Sequence, residues 1–237
     1  MEERNMRKRV RQTAALALAL GMAVTGSMAG YAAVDPAAVE TDTVSSVGGT
    51  KTELVGTIEI TSLSVSLPLK AGFNIDPSKY DGKSIDVQIG SNQSANYKII
   101  NNSAVPVYVY ISDIEANKDH TGSKPAGVKD ISLISKTDNI STLNSVMLAI
   151  KDASMTTADG LPANADADES FWLTTANMTT NSNKYYLNNA KGKMEAKTGS
   201  TGTELNLKIY GLTQNGWAPA DKFSVAPTFM VSTVEPS

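Results

Sequence analysis

The 237-residue chain contains no cysteine and a single histidine, His120. The absence of cysteine excludes a disulfide scaffold, thiolate zinc sites and a cysteine nucleophile. One histidine cannot supply the several ligands that the usual zinc sites need. A chain of this length can bury enough apolar surface to fold without such crosslinks. We therefore expect its stability to come from the hydrophobic core alone.

His120 is also the one residue on which a Ser-His-Asp triad would depend. It lies in a polar Lys-Asp-His-Thr-Gly segment, and the sequence has no Gly-x-Ser-x-Gly elbow. Aromatic residues make up only 6% of the chain, whereas a sugar-cleaving cleft is usually rich in them. A carboxylate pair for glycoside hydrolysis depends on the fold and stays open at this point. The sequence favours a solvated loop histidine and a protein that is not an enzyme.

The chain has little positive charge once its first 32 residues are set aside. They hold five of the 21 Lys and Arg residues and two of the 24 Asp and Glu residues, so the remainder carries a net charge of about −6. Binding to nucleic acid or to an anionic membrane requires a positive patch, which this composition does not supply. We therefore predict no nucleic-acid partner, and no membrane contact after the N-terminal segment is removed.

Those first 32 residues have the composition of a secretory signal peptide. Five basic residues lie within 4–11, and an apolar run follows at 14–24. Ser27-Met28-Ala29 and Gly30-Tyr31-Ala32 each place small side chains at −3 and −1 of a cleavage site. The apolar run is short for a bilayer span, although an uncleaved anchor is the alternative. We predict a signal peptide at 1–32 and a secreted, extracellular protein at the cell surface.

Beyond a polar stretch at 33–53, predicted to be a flexible leader, apolar residues alternate with period two. In the clearest run Val107, Val109 and Ile111 share one face. Turn sequences separate the runs, and no window of a dozen residues shows a sustained helical stripe. The pattern predicts an all-β fold, an antiparallel β-sandwich of Ig-like or jelly-roll-like type, in one domain at 54–237. The alternating runs lie at 58–60, 63–67, 85–89, 97–99, 105–111, 146–150, 205–209 and 223–234.

Local features refine this prediction. The alternation of apolar residues changes phase at Ser62, which indicates a β-bulge or a bend between sheets. Pro106 favours an edge position or the start of a strand, because proline lacks the ladder N–H group. Residues 115–127 and 152–168 are long and polar, so we expect loops at the ends of the sandwich.

The second of these loops is the one candidate for a metal site. Calcium needs only oxygen ligands, and Asp-x-Asp spacing can direct two carboxylates at one hard cation. The loop does not match the EF-hand spacing, and acidic residues are also common in exposed turns. We retain a calcium site as a possible cofactor site, with ligands drawn from Asp159, Asn164, Asp166, Asp168 and Glu169.

Four aromatic residues raise the possibility of carbohydrate binding, because flat aromatic faces stack on sugar rings. Trp217 lies in a turn-like QNGWAP segment and is expected to be exposed, with Tyr185 and Tyr186 as further ligand-binding candidates. Trp172 lies in SFWLTT, where its neighbours suggest a buried strand. The alternative for all four is packing in the core or in cross-strand pairs.

The segment at 97–111, YKIINNSAVPVYVYI, ends one strand in Asn-Asn-Ser and begins a β-branched strand at once. It resembles a hairpin of secreted Ig-like sandwiches on Gram-positive bacteria, among them the biofilm-fibre subunits of the TasA and camelysin type. Residues 56–60, GTIEI, occupy the place of the Gly-Thr-Leu-like first strand of those proteins. The resemblance covers about a quarter of the chain, and it implies assembly in which each subunit lends an N-terminal strand to its neighbour.

We therefore expect a secreted structural or adhesive surface protein, with self-assembly by strand exchange into an extracellular matrix, fibre or surface layer. The polar leader followed by a strand at 54–60 would permit such exchange, since an added strand satisfies exposed edge groups. The alternative is a non-catalytic carbohydrate-binding module, whose partners would be cell-surface or matrix glycans.

Overall fold

A computed structural model describes residues 63–237, which are built mainly from strands and turns. The one α-helix of this region, α1 (Thr175–Thr180), begins after Thr174, whose hydroxyl accepts a hydrogen bond from the Asn177 N–H group. Short 3₁₀ turns occupy Pro77–Lys79, Thr137–Asn139, Thr157–Asp159 and Glu169–Phe171. The strands are β1 (Val65–Ser66), β2 (Lys98–Asn101), β3 (Val107–Ala116), β4 (Ser132–Leu133), β5 (Ser145–Asp152), β6 (Tyr185–Tyr186), β7 (Lys193–Met194), β8 (Thr203–Thr213) and β9 (Val225–Ser232).

The strands form two sheets, and the predicted all-β class is confirmed for the described residues. The first sheet has the order β1-β2-β8-β5-β4, and its long central pair is β5 with β8. Its ladders are antiparallel except at β4, which runs parallel to β5 with Ser132 opposite Ser145. The expectation of purely antiparallel pairing was therefore wrong at this edge.

In the second sheet β3 lies at the centre. It pairs antiparallel with β9 on one side and with the short strands β6 and β7 on the other. Val107, Val109 and Ile111 are fully buried on one face, as their spacing predicts. Pro106 directly precedes the strand, which is one of its two predicted positions. The β3–β9 register shifts between Ile111 and Asp113, so β3 carries a bulge.

Side chains from both sheets pack into one hydrophobic core. Val146, Leu148 and Ile150 of β5 alternate inward and meet the buried face of β3 there. A second cluster lies on the opposite face of β5 and β8, around Met147 and Tyr210. It is covered by turns from 134–172, so the acidic loop packs over a sheet face and does not lie at an end of the molecule. Its other buried members are Ile140, Ala149, Ala165, Phe171, Trp172 and Leu212.

The strand predicted at 85–89 is wrong, since these residues form a helical turn in which the Gly90 N–H donates to the Asp86 carbonyl. Gln88 is fully buried, and its side-chain amide bonds both the N–H and the carbonyl of Thr213, at 2.7 and 2.8 Å. Gln93 does the same for Ile209, at 2.7 and 3.1 Å. Two glutamine amides thus replace a neighbouring strand where β8 runs beyond β2.

Trp172 is buried as predicted but not in a strand, because it directly follows the 3₁₀ turn Glu169–Phe171. The predicted signal peptide at 1–32, the leader at 33–53, the strand at 58–60 and the bulge at Ser62 lie outside the described residues. Within 63–237, no helix reaches the length and apolar character that a bilayer span requires.

Candidate functional site

Strand β9 is a long edge strand whose outer side has no partner within the described residues. It pairs over eight residues with β3 and with no other strand of this region. Phe229 and Val231 pack on the core, whereas Thr228 and Met230 are exposed. Pro227 lies within the strand, as edge strands permit. Such an edge presents unpaired backbone groups to a further strand.

A groove of about 1,090 Å³ runs beside this edge, and we call it the β9 groove. Its lining comes from both sheets and reaches the inner faces of β5 and β8. The aromatic side chains Phe73 and Phe223 meet edge to face at 5.6 Å and remain half-buried. Apolar surface at the opening of a core is suited to binding an apolar segment. The other apolar residues that line it include Ile75, Tyr97, Leu148, Ile150, Ile209, Val225 and Phe229.

Trp217 lies in the β9 groove and not on an open turn. It is half-buried, its ring centroid is 5.5 Å from that of Phe223, and its indole N–H donates to the Thr213 hydroxyl at 2.6 Å. The Lys129 ammonium lies 5.9 Å from the centroid of the Trp217 ring. His120 also borders the groove and is exposed, as predicted.

A second cavity, of about 360 Å³, surrounds the end of β5, and we call it the lysine cavity. Lys151 projects there and donates to the Tyr186 carbonyl at 2.7 Å. Its ammonium lies 3.8 Å from the ring centroid of Tyr185 and 5.6 Å from that of Phe171. Burial lowers the pKa of Lys151 to about 7, because the charged form loses its hydration, while the nearby Asp168 carboxylate acts in the opposite direction.

The lysines of this cavity differ in their partners. Lys191 pairs with Glu235 at 3.0 Å and donates to the Pro236 carbonyl, and Lys184 donates to the Ser237 carbonyl at 2.7 Å. Within the described residues, Lys151 has no carboxylate at ion-pair distance. In the described region, Lys151 and Lys184 are therefore the lysines of this cavity without an Asp or Glu partner.

The predicted ligand-binding aromatic residues do not form one site. Tyr185 and Tyr186 border the lysine cavity, whereas Trp217 lies in the β9 groove. Tyr185 is 4% exposed, and its hydroxyl donates to the Phe171 carbonyl at 2.7 Å, so its role as an exposed stacking platform is corrected to a packing role. Burial also raises its pKa. Tyr186 is half-buried, edge to face with Tyr110 at 6.4 Å, and still lines the cavity.

The predicted calcium ligands are spread over several turns. Asp159 accepts from the N–H and hydroxyl of Thr156, and Asp168 accepts from those of Ser170. Asp166 binds the N–H and hydroxyl of Thr137, Glu169 pairs with Lys136 at 2.7 Å, and Asn164 accepts from the Asp166 N–H. Among residues 63–237, no group of three or more His, Cys, Asp or Glu side chains is placed to hold a metal ion.

Sequence reasoning missed Lys151, although one signal was present. Val146, Leu148 and Ile150 mark one face of β5, and Met147 and Ala149 on the other face are apolar as well. Lys151 continues that second apolar face, so a buried amine could have been predicted there.

Comparisons with protein-family models, with curated proteins and with solved structures find no match to this chain.

Proposed function

We propose that the chain is a secreted structural subunit that assembles into an extracellular matrix, fibre or surface layer by strand exchange. In this proposal residues 54–60 of one copy add to the outer edge of β9 in the next copy. The observation that carries the proposal is the β9 groove beside an eight-residue edge that has no partner strand within residues 63–237.

The chemistry of the donor segment fits this acceptor. In the sequence LVGTIEI, Ile58 and Ile60 alternate with Thr57 and Glu59, so one face of an added strand would be apolar. That face would cover Phe223 and the groove residues of β5 and β8, while the backbone of the segment would pair with the groups that β9 leaves open. Each buried isoleucine is expected to stabilise the complex by about 2 kcal/mol.

The architecture is consistent with the resemblance noted in the sequence. Two sheets that share one core, with strands connected mostly in antiparallel fashion, fit an Ig-like β-sandwich. Subunits of the TasA and camelysin type assemble by lending an N-terminal strand, and residues 56–60 stand in the corresponding place. We extend that mode of assembly to this chain.

Secretion is part of the same proposal. Cleavage after Ala29 or Ala32 would give an exported chain that begins at Gly30 or Ala33 and keeps the donor segment near its new N-terminus. Intact-mass measurement of exported protein tests this expectation. Exported material that retains residues 1–29 would contradict it.

Assembly is tested by two nested deletions in the exported protein. Removing residues 34–53 takes away only the polar leader and should leave both folding and self-association intact. Removing 34–60 takes away the donor strand as well and should abolish filaments in negative-stain images and large species in light scattering. Because β-sheet circular dichroism reports folding separately, loss of structure in the longer deletion would show instead that the segment stabilises its own subunit.

A second candidate function is carbohydrate binding without catalysis. The observation that favours it is the lysine cavity, which Tyr186 lines together with residues that carry amide and hydroxyl groups. No residue of the described region lines both this cavity and the β9 groove, so the two functions are physically compatible in one subunit.

A further inference from the structure

The Lys151 amine has no carboxylate partner among residues 63–237. An ammonium group has three N–H donors, and within residues 63–237 this one has a single hydrogen-bond acceptor, the Tyr186 carbonyl. The rings of Tyr185 and Phe171 supply a favourable but weak electrostatic contact. A buried charge without a counter-ion is costly, and a bound anion would remove that cost.

The lining exposes more apolar than polar surface, and its polar part includes four uncharged side chains. Ser170, Asn181, Asn188 and Asn189 contribute hydroxyl and amide groups, and Asp168 is the one carboxylate of the described region that lines the cavity. These groups are typical partners of sugar hydroxyls, since amides both donate and accept hydrogen bonds. A volume of about 360 Å³ lies at the lower end of small-ligand pockets and suits one or two sugar rings.

We propose that the lysine cavity binds an acidic sugar, with the carboxylate of a uronic acid residue paired to the Lys151 amine. The ring hydroxyls would bond the amides of the lining, and the half-buried ring of Tyr186 would contact the sugar. This inference rests on carbohydrate binding, the second candidate function, and gives that function a ligand class. It is independent of strand exchange at the β9 groove.

The pairing makes binding depend on pH in a defined direction. The titratable groups around Lys151 are Asp168, Tyr185, Tyr186 and the lysines 184 and 191 in the cavity. On β8, Lys208 lies directly opposite and is paired with Asp86. In the free protein the amine has a pKa of about 7, and a bound carboxylate would raise it. Above pH 7 the complex must therefore take up a proton, so affinity is greatest below pH 7 and falls by up to about tenfold for each pH unit above it.

The test is titration calorimetry of the full-length protein with glucuronate, with glucose and acetate as probes for the ring and the carboxylate alone. We expect glucuronate to bind at least about tenfold more tightly than either, with a net uptake of protons at pH 8.5, measured in paired buffers of different ionisation heat. Lys151→Met should weaken glucuronate binding by about tenfold or more, whereas the exposed Lys124→Met should not.

Several results would overturn the inference. If glucose binds as tightly as glucuronate, the cavity binds carbohydrate but does not recognise the acidic group. If acetate binds as tightly as glucuronate, the cavity binds a carboxylate without recognising the sugar. Absence of binding by every probe would contradict both the inference and the second candidate function. The proton-uptake measurement uses the unsubstituted protein, so it decides the matter even if Lys151→Met fails to fold.

Discussion

Lys151 and Lys208 lie directly opposite each other across the β5–β8 ladder. Of these two lysines, only Lys208 has a carboxylate partner in the described region, Asp86. Two lysines in register would repel each other if both were charged and unneutralised. The pair is accommodated because Asp86 neutralises one amine, while burial against Tyr185 lowers the pKa of the other to about 7.

This asymmetry predicts how stability depends on pH. The unfolded chain has an ordinary lysine pKa of 10.5 at position 151, so between pH 7 and 10.5 it binds more protons than the folded protein, and this group makes stability rise with pH. Lys151→Met should therefore be more stable than the unsubstituted protein at pH 6, by about 1–3 kcal/mol, and the difference should shrink toward pH 10.5. Urea unfolding at four pH values measures it.

Lys124→Met is the control, because Lys124 is exposed and pairs only with the exposed Asp130. It should change stability little at any of these pH values. A Lys151→Met protein that is less stable at pH 6, by the same amount at every pH, would show that the charged amine is held favourably over the Tyr185 ring.

We predict that replacing the amide group of Gln88 greatly lowers the free energy of unfolding. Gln88→Leu keeps an apolar group of similar size but leaves the N–H and carbonyl of Thr213 without partners in a buried position. We expect a loss of about 2–4 kcal/mol in the free energy of unfolding. Gln214→Leu, at an exposed neighbouring position, should cost much less. Equal stability of the two variants would mean that the amide does not substitute for a strand.

Gly192 lies against the backbone of the central strand β3, so we predict that any larger residue at this position destabilises the protein. A Cβ atom at this position would lie 1.8 Å from the Val109 carbonyl oxygen, and its φ of +70° already disfavours other residues. Gly192→Ala should therefore cost about 3 kcal/mol or more. Gly199 has a similar φ of +59° with open space around it, so Gly199→Ala should cost only about 1 kcal/mol. Thermal unfolding of both proteins separates the clash from the backbone strain, and equal losses would contradict the close approach of Gly192 to β3.

The sequence predicted those parts of the fold in which one face of a strand meets the core. Val107 and Val109 stood out because polar or solvent-facing residues alternate with them. Residues 85–89 show the same alternation but form a turn, because the partner of β8 at this point is the side chain of Gln88, which apolar periodicity does not register. The lysine cavity was equally hidden, since Lys151, Phe171 and Tyr186 are brought together only by the tertiary fold.

The most direct test of strand exchange is disulfide crosslinking between two differently tagged copies, one with Glu59→Cys and the other with Met230→Cys. The chain has no cysteine of its own, so no other thiol can react. Met230 is 44% exposed on the outer face of β9, and Glu59 would share that face in an added strand whose isoleucines point inward. Adjacent strands bring Cα atoms to about 4.5–5.5 Å, within the range of a disulfide.

We predict a crosslinked heterodimer when the two copies are mixed under mild oxidation, with little product when Met230→Cys is replaced by Asp138→Cys, an exposed position outside the β9 groove. Addition of Ile58→Asp to the donor copy should abolish the product, because it would place a charge in the groove. A mixture that yields no heterodimer, while a single chain carrying both Glu59→Cys and Met230→Cys closes an internal disulfide as a monomer, would contradict strand exchange between copies.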